Sequence, residues 1–321
     1  MKLYKKAAAC LLTAAMALSM LTACGGGTPN KPGGGTPNKP GGNTPSTLPT
    51  NPDEIVLPDI GEGGGEGTET KPTKTLIDVS KSKLAQFNKR YADATEFRVE
   101  MQQVSYDEDG SVAESMDGRA ARKGENCYMR MTGLDKDHKQ HLYEILMLKN
   151  KNKSTWDQYA LLSSSKVAVN TGSTDEGVFL SLSTLLADEL PDQMWSTKVK
   201  VGPTEYYAEV YHSYSIEYTI CYTADGKPVY EFERYLREKQ LISATLYETI
   251  LAGSGTSKNL CALPSGFKTY SFDDDTYELT DAKGNVFTVV PQANEGFKVL
   301  DNTGKDVTAD FKWAKDLLEM I

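Results

Sequence analysis

The stretch YYAEVYHSYSIEYTICY, residues 206–222, decides the fold class, because aromatic and apolar side chains occupy most of its even positions. Glu209, Glu217 and Thr219 lie at odd positions between them. A period of two residues is that of a β-strand with one face against a core and the other in water. The run therefore predicts one long strand, or two strands joined by a bend, with an aromatic face.

Turn sequences separate this run from others of the same kind. Residues 109–110 and 225–226 are Asp-Gly dipeptides, which favour tight hairpins, and residues 238–240 are Glu-Lys-Gln. Each turn lies between two short apolar or alternating runs. Because consecutive hairpins need no crossover connection, the pattern predicts an antiparallel meander.

Two stretches show the helical period instead. Leu84, Phe87 and Tyr91 approximate one apolar stripe near the start of the domain, and residues 178–190 form another that ends before Pro191. The sequence therefore predicts an α+β domain, in which a strongly curved antiparallel β-sheet has an N-terminal helix and covering helices.

The order of these elements resembles the LolA/LppX-like lipoprotein fold, an unclosed half-barrel with helices plugging its concave face. The carriers of the resemblance are LAQF (84–87), ATEFRVE (94–100), YYAEV (206–210), PVY (228–230) and LPSGF (263–267). The resemblance implies a domain over residues 76–270 that binds a lipid or another hydrophobic ligand. Residues 271–321 depart from the pattern with two hairpins and a helix, and are either an edge extension or a small appended unit.

The N-terminus has the composition of a bacterial export signal. Three lysines within residues 2–6 precede a mostly apolar run over residues 7–20, which is too short to span a membrane. The next four residues are Leu21, Thr22, Ala23 and Cys24. They resemble the lipobox of bacterial lipoproteins, which implies a signal peptide over residues 1–23, cleavage before Cys24 and a diacylglycerol on its sulfur. We therefore expect a lipid anchor on the extracytoplasmic face of a cell membrane.

A tether is predicted over residues 24–75. The octapeptide GGGTPNKP occurs twice, at residues 25–32 and 33–40, and the sequence stays rich in Gly, Pro, Thr and acidic residues to about residue 75. Such composition cannot bury enough apolar surface to offset the cost of ordering the chain. We expect a disordered spacer that crosses the thick wall of a single-membrane bacterium. Residues 55–57, Ile-Val-Leu, are either a docking motif or an incidental cluster.

Composition excludes some function classes and leaves the redox state open. The formal net charge of the 321 residues is −9, which argues against binding nucleic acid and against electrostatic docking on anionic lipid. Beyond the lipobox, Cys127, Cys221 and Cys261 remain, either as one disulfide and a spare thiol or as three free thiols. Their spacing matches no metal site.

No set of residues indicates catalysis. His138 and His141, with Asp135 and Asp137, form either a metal site or a solvated loop, and His212 lies among apolar strand positions. Asp273-Asp274-Asp275 is either a solvated turn or a calcium site, and two S-x-x-K matches, beginning at Ser80 and Ser163, lack their companion motifs. We therefore predict no enzyme activity, no cofactor and no metal.

The candidate ligand-lining residues are Tyr206, Tyr214, Tyr218 and Tyr222, with Leu182 and Leu186 on the covering helix. The tyrosines either line a hydrophobic or sugar-stacking groove or pack as core under that helix. The predicted function is a non-enzymatic lipoprotein that binds a lipid or other hydrophobic ligand in its half-barrel. The alternative is an interaction module with a filled core, whose outer face contacts a cell-wall polymer or a protein partner.

Overall fold

The computed structural model describes residues 48–49, 51–58, 74–92, 94–134, 140–174, 190–292 and 296–320. In this part of the chain there are seventeen β-strands and two α-helices. The strands are β1 (Ile55–Val56), β2 (Thr75–Ile77), β3 (Glu96–Tyr106), β4 (Val112–Lys123), β5 (Asn126–Leu134), β6 (Gln140–Lys149), β7 (Trp156–Leu162), β8 (Val167–Thr174), β9 (Met194–Val201), β10 (Thr204–Ser213), β11 (Ile216–Tyr222), β12 (Pro228–Tyr235), β13 (Leu241–Ala252), β14 (Lys268–Asp273), β15 (Glu278–Asp281), β16 (Val286–Gln292) and β17 (Gly296–Asp301). The helices are α1 (Lys83–Ala92) and α2 (Ala314–Met320).

All the strands belong to one sheet, which is unclosed and mixed. From one edge the order is β9-β10-β11-β12-β13-β3-β4-β5-β6-β7-β8-β14-β15-β16-β17. β1 and β2 both pair with the outer edge of β9. Only the β8–β14 pairing is parallel among those described, and none joins β17 to the β9 edge. The meander predicted from the turns is therefore interrupted at β13–β3 and β8–β14, where strands distant in sequence meet.

The predicted α+β class is wrong, and the described chain is nearly all-β. Helix α1 is present where the stripe of Leu84, Phe87 and Tyr91 predicted it, but it has only ten residues and α2 only seven. On the side of the sheet away from α1, the buried clusters include residues 48, 55 and 57 and residues 260, 261 and 267, none of which is in an α-helix. The helix predicted over residues 178–190, with Leu182 and Leu186, lies outside the described residues.

The aromatic run of residues 206–222 is a hairpin and not one long strand. Ser213 pairs with Ile216, so Tyr214 and Ser215 form a two-residue turn in which Tyr214 has φ +54°. Residues directly opposed in a pair share a face, and Tyr211 opposes Tyr218. Even positions of β10 therefore lie on the opposite face from even positions of β11, which divides the predicted aromatic face in two.

One face of the sheet packs against α1, and we call it the helix face. Leu84, Phe87 and Tyr91 are buried there against side chains from eight strands. The buried partners on the sheet are Phe97, Val99, Met101, Ala120, Cys127, Met129, Met131, Ile145, Met147, Met194, Tyr211, Tyr218, Ile220, Tyr222 and Tyr247. The apolar stripe of α1 is therefore held by tertiary packing, as expected for a helix too short to be stable alone.

We call the opposite face the strap face; where the structure describes the chain that covers it, that chain has no α-helix. Residues 48–49 and 51–58, the N-terminal strap, cross it on the side of β9 to β13. Leu48 is buried, the Tyr106 hydroxyl donates to the Pro49 carbonyl at 2.8 Å, and the Gly202 N–H donates to the Glu54 carbonyl at 2.9 Å. This part of the expected tether, including Ile55 and Leu57, packs on the domain.

The C-terminal residues continue the sheet, so the edge-extension alternative describes them. β14 adds beside β8, and β15 to β17 follow as antiparallel neighbours. Phe311 and Trp313, just before α2, and Leu317, within it, are buried against the helix-face side of β7 and β8. The tail therefore covers the apolar side chains of that end of the sheet.

Cys127, Cys221 and Cys261 are free and buried. Burial raises the pKa of the Cys127 thiol to about 11, so it stays protonated and unreactive at neutral pH. Of the two alternatives open from the sequence, the structure has three thiols and no disulfide among them. No helix in the described part of the chain has both the length and the hydropathy of a membrane span.

Candidate functional site

A cleft of about 830 Å³ opens between α1, β10 and the turn that joins β11 to β12. Phe87 and Tyr91, both buried, and the partly buried Ile77 and Ile250 give it an apolar floor. Its rim is polar and consists of Asp78, Lys81, Ser82, Lys83, Gln86, Arg90, Tyr207, Glu209, Ala224, Asp225, Gly226, Lys227 and Pro228. With seven charged residues around four apolar or aromatic side chains, the cleft is more polar than most small-molecule sites and offers both apolar and charged contacts.

Glu209 fixes the start of α1 to the sheet. Its side chain is only 1% exposed, and its carboxylate accepts the backbone N–H groups of Lys83 at 2.6 Å and Leu84 at 2.9 Å. The hydroxyls of Tyr222 and Tyr207 donate to the same carboxylate at 3.1 and 3.3 Å. A carboxylate at a helix N-terminus satisfies donors that have no partner within the helix, and its charge is favourable there. Glu209 therefore sets the position of α1, which forms one wall of the cleft.

The two tyrosines beside Glu209 are neutral donors at physiological pH. Burial and the Glu209 carboxylate raise the pKa of Tyr207 to about 12. The same causes raise the pKa of Tyr222 well above its ordinary value. The Lys83 ammonium lies 5.0 Å from the ring centroid of Tyr207 and 5.6 Å from that of Tyr222. The aromatic faces attract this cation without removing its charge.

A second polar cluster is a pair of carboxyl groups on the helix face of β12. Glu231 is buried and accepts a hydrogen bond from the Tyr247 hydroxyl. Glu233, two residues on and on the same face, is opposed by Tyr218 and Ser243 on the neighbouring strands. Burial and then the Glu231 charge raise the pKa of Glu233 to about 8. Glu233 is therefore largely protonated at neutral pH, as expected for two carboxyls in one poorly hydrated place.

We expect stability to depend on pH through Glu233. Its pKa is about 8 in the folded chain against 4.5 in the unfolded one, so unfolding releases a proton between these values. The stabilisation that Glu233 contributes to the free energy of unfolding is fully present below pH 4.5. It is lost as the pH rises to about 8, at up to about 1.4 kcal/mol per pH unit. Urea titrations at pH 5 and pH 8.5 should show Glu233→Gln gaining stability relative to wild type at the higher pH, on the order of 3 kcal/mol.

The control for this measurement is Glu238→Gln in the exposed β12–β13 turn, which should keep the pH profile of the wild type. Comparing variants cancels the contributions of groups common to both, including His212, whose pKa burial lowers. Parallel profiles for wild type and Glu233→Gln would contradict the raised pKa.

A third polar group lies buried on the strap face. Glu217 is fully buried and pairs with the Arg234 guanidinium, while the His212 Nε2 lies 3.3 Å from its other oxygen. Arg234 also donates to the Pro58 carbonyl of the N-terminal strap. This network joins β10, β11 and β12 to the strap. His212 thus has the hydrogen-bonded, partly buried position of a structural histidine.

The structure separates the four tyrosines that were candidates for one groove. Tyr206 is on the strap face, where its ring meets Tyr230 edge-on at 5.6 Å. Tyr214 is fully exposed at the hairpin turn, with a relative exposure of 101%. Tyr218 and Tyr222 are buried on the helix face, and Tyr222 alone touches the Glu209 cluster. The four tyrosines therefore do not share one groove, because the two-residue turn puts the even positions of β10 and the even positions of β11 on opposite faces of the sheet.

The other sequence candidates have local partners where the structure describes them. Ser80 and Ser163 donate their hydroxyls to the carboxylates of Asp78 and Glu144, so each hydroxyl has an acidic partner. The carboxylates of residues 273–275 converge within 4.8 Å on the surface, but Asp273 there accepts two backbone N–H groups of its own turn. His138 and residues 21–24 of the lipobox lie outside the described residues.

Sequence reasoning missed the residues that shape the cleft. Alternation alone places Glu209 on the solvated face of its strand, and no pattern in the sequence singles out Arg90. A signal was present, because the turn residues Ser213 to Ser215 interrupt the apolar pattern and permit a hairpin. With the hairpin, Glu209 falls on the same face as Tyr218 and Tyr222.

Comparison with known proteins adds little to the geometry. No protein-family profile matches this chain and no curated protein matches it. Among solved structures, it is similar to an uncharacterized conserved protein from Thermus thermophilus, at 10% identity and a TM-score of 0.33, covering 59% of this chain and 99% of that one. A likeness this remote identifies neither a family nor a function.

Proposed function

We propose that this protein is a membrane-anchored, extracytoplasmic binding protein that takes a small amphipathic ligand in the cleft beside α1. The observation that carries the proposal is the cleft itself, which combines the apolar floor of Phe87, Tyr91, Ile77 and Ile250 with a charged rim. Its volume of about 830 Å³ is within the range of small-molecule sites, roughly 300–1,000 Å³.

The sequence supports the anchored location. The lipobox resemblance of residues 21–24 implies a lipidated Cys24, which would hold the domain near a bilayer where amphipathic molecules are concentrated. The resemblance to the LolA/LppX-like fold implies the same class of ligand. The proposal differs in its site from the one expected, since it uses the edge of α1 and not a common tyrosine surface.

Filling the cleft tests the proposal. Gln86 is exposed on the cleft side of α1, so Gln86→Trp should occupy the cleft without disturbing the buried stripe of the helix. We expect wild-type residues 25–321, made without the signal and the lipidated cysteine and purified without detergent, to retain an extractable amphiphile detected by native mass spectrometry. Gln86→Trp should lower the affinity for that molecule by at least about tenfold, equivalent to about 1.4 kcal/mol.

Lys89→Trp is the matched control, because Lys89 is exposed on the same helix and does not line the cleft. It should retain the ligand as the wild type does. Equal retention by Gln86→Trp and Lys89→Trp would place the ligand elsewhere, and an empty wild-type protein that binds no added amphiphile would refute the proposal.

One observation favours the alternative, an interaction module. Tyr214 is fully exposed at a hairpin turn in a left-handed backbone conformation that is costly for a bulky residue. Exposed tyrosines are common anchors in protein interfaces. An empty cleft together with a partner that depends on Tyr214 would support this function instead.

A further inference from the structure

We infer that the ligand of the cleft carries an anionic head group, a carboxylate or a phosphate monoester, and that Lys83 and Arg90 bind it. The inference rests on the proposed function, because it names the chemical class of the ligand at the same site. It concerns one wall of the cleft, the polar side of α1.

Lys83, Gln86 and Arg90 follow one another at spacings of three and four residues, so they lie on one side of the helix. All three line the cleft. The buried stripe of Leu84, Phe87 and Tyr91 is displaced by one position from this row, which places the row at the edge of the core. A ligand along this row therefore meets two cations, an amide and the apolar floor together.

The charges of the cleft do not cancel. Four cations line it, Lys81, Lys83, Arg90 and Lys227, against three anions, Asp78, Glu209 and Asp225. Lys81 pairs with Asp78 at 3.0 Å and Lys227 with Asp225 at 3.2 Å. The Glu209 carboxylate accepts hydrogen bonds from the two N–H groups at the start of α1 and from two tyrosine hydroxyls.

In the part of the chain that the structure describes, the other two cations of the cleft, Lys83 and Arg90, are in no such ion pair. Neither the Lys83 ammonium nor the Arg90 guanidinium has a carboxylate within 4.0 Å among the described residues. Each lies near a tyrosine ring instead, with the Arg90 guanidinium carbon 5.9 Å from the Tyr91 centroid. In a chain of net charge −9, this is a local excess of positive charge over an apolar floor. Arginine matches carboxylate and phosphate groups with two parallel hydrogen bonds, and lysine adds a point charge.

A series of ligands with one tail and different heads tests the inference on the full mature chain. We would titrate octyl phosphate, octanoate, octyl glucoside and octyltrimethylammonium below their critical micelle concentrations, with inorganic phosphate as the head group alone. We expect the two anionic amphiphiles to bind most tightly. In the double variant Lys83→Gln/Arg90→Gln their affinity should fall by about tenfold or more, while octyl glucoside changes by less than about twofold.

Lys89→Gln is the control for general charge effects, since it removes one exposed cation from the same helix outside the cleft. It should leave all affinities near those of the wild type. If all four amphiphiles bind equally and the double variant does not change their affinities, the anionic preference is wrong and the proposed function stands. The same conclusion follows if octyltrimethylammonium binds most tightly. Inorganic phosphate binding as tightly as octyl phosphate would keep the anion site and refute the amphipathic ligand. No binding by any of them would refute both.

Discussion

Replacing Glu209 by alanine should lower the free energy of unfolding by about 3–5 kcal/mol, because four donors converge on this one buried carboxylate. The variant leaves the Lys83 and Leu84 N–H groups without a cap and the buried Tyr222 hydroxyl without its acceptor. Urea denaturation of the mature chain followed by circular dichroism measures the loss. Because Glu209 positions the α1 wall, ligand binding in the cleft should weaken as well.

Two further variants separate the causes. Glu205→Ala removes an exposed carboxylate from the same strand, whose 2.6 Å contact with Lys198 is on the surface, and should cost less than about 1 kcal/mol. Glu209→Gln keeps one acceptor oxygen and should fall between wild type and Glu209→Ala. A loss below about 1 kcal/mol for Glu209→Ala would mean that apolar packing alone holds α1.

The second large effect is expected on the strap face. Arg234→Met should destabilise the fold by about 3–5 kcal/mol, because it leaves the fully buried Glu217 without its guanidinium partner. It also removes the donor to the Pro58 carbonyl, so the N-terminal strap should loosen. Chemical denaturation measures the first effect. Faster hydrogen exchange at Gly202, whose N–H donates to Glu54 of the strap at 2.9 Å, measures the second.

The exposed Arg237→Met, three residues along in the β12–β13 turn, is the matched control and should change stability by less than about 0.5 kcal/mol. The double variant Glu217→Gln/Arg234→Met should be more stable than Arg234→Met, since it removes the uncompensated charge. If the double variant is as unstable as the single one, the cost lies in the lost strap contact and not in the buried charge.

Local features of the fold could be predicted from local sequence. The Asp-Gly turns at residues 109–110 and 225–226 are hairpin turns in the structure, with Gly110 at φ +80° and Gly226 at φ +82°. A glycine tolerates this left-handed conformation without the steric cost borne by other residues. The apolar stripe of α1 could be predicted in the same way, because a period of 3.6 residues indicates a helix with one buried face.

The arrangement of those elements in the sheet could not be predicted from the sequence. A period of two residues shows that side chains alternate between two faces, but it does not show which face each strand turns toward a given partner. The two-residue turn at Tyr214 and Ser215 inverted that relation for β11. The sheet also has a covered strap face, so Glu217 is buried at a position where alternation alone predicts a solvated side chain.

By itself, the sequence determined the alternating strands, the tight turns, the position of α1 and the expectation of a lipidated Cys24, since these depend on neighbours a few residues apart. Only the tertiary structure decided the nearly all-β class, the strap and the cleft. Glu209 reaches the start of α1 across 126 positions of sequence, and β8 meets β14 only after nearly a hundred intervening residues. Such contacts form because distant segments bury one another, and no local period records which distant segment will do so.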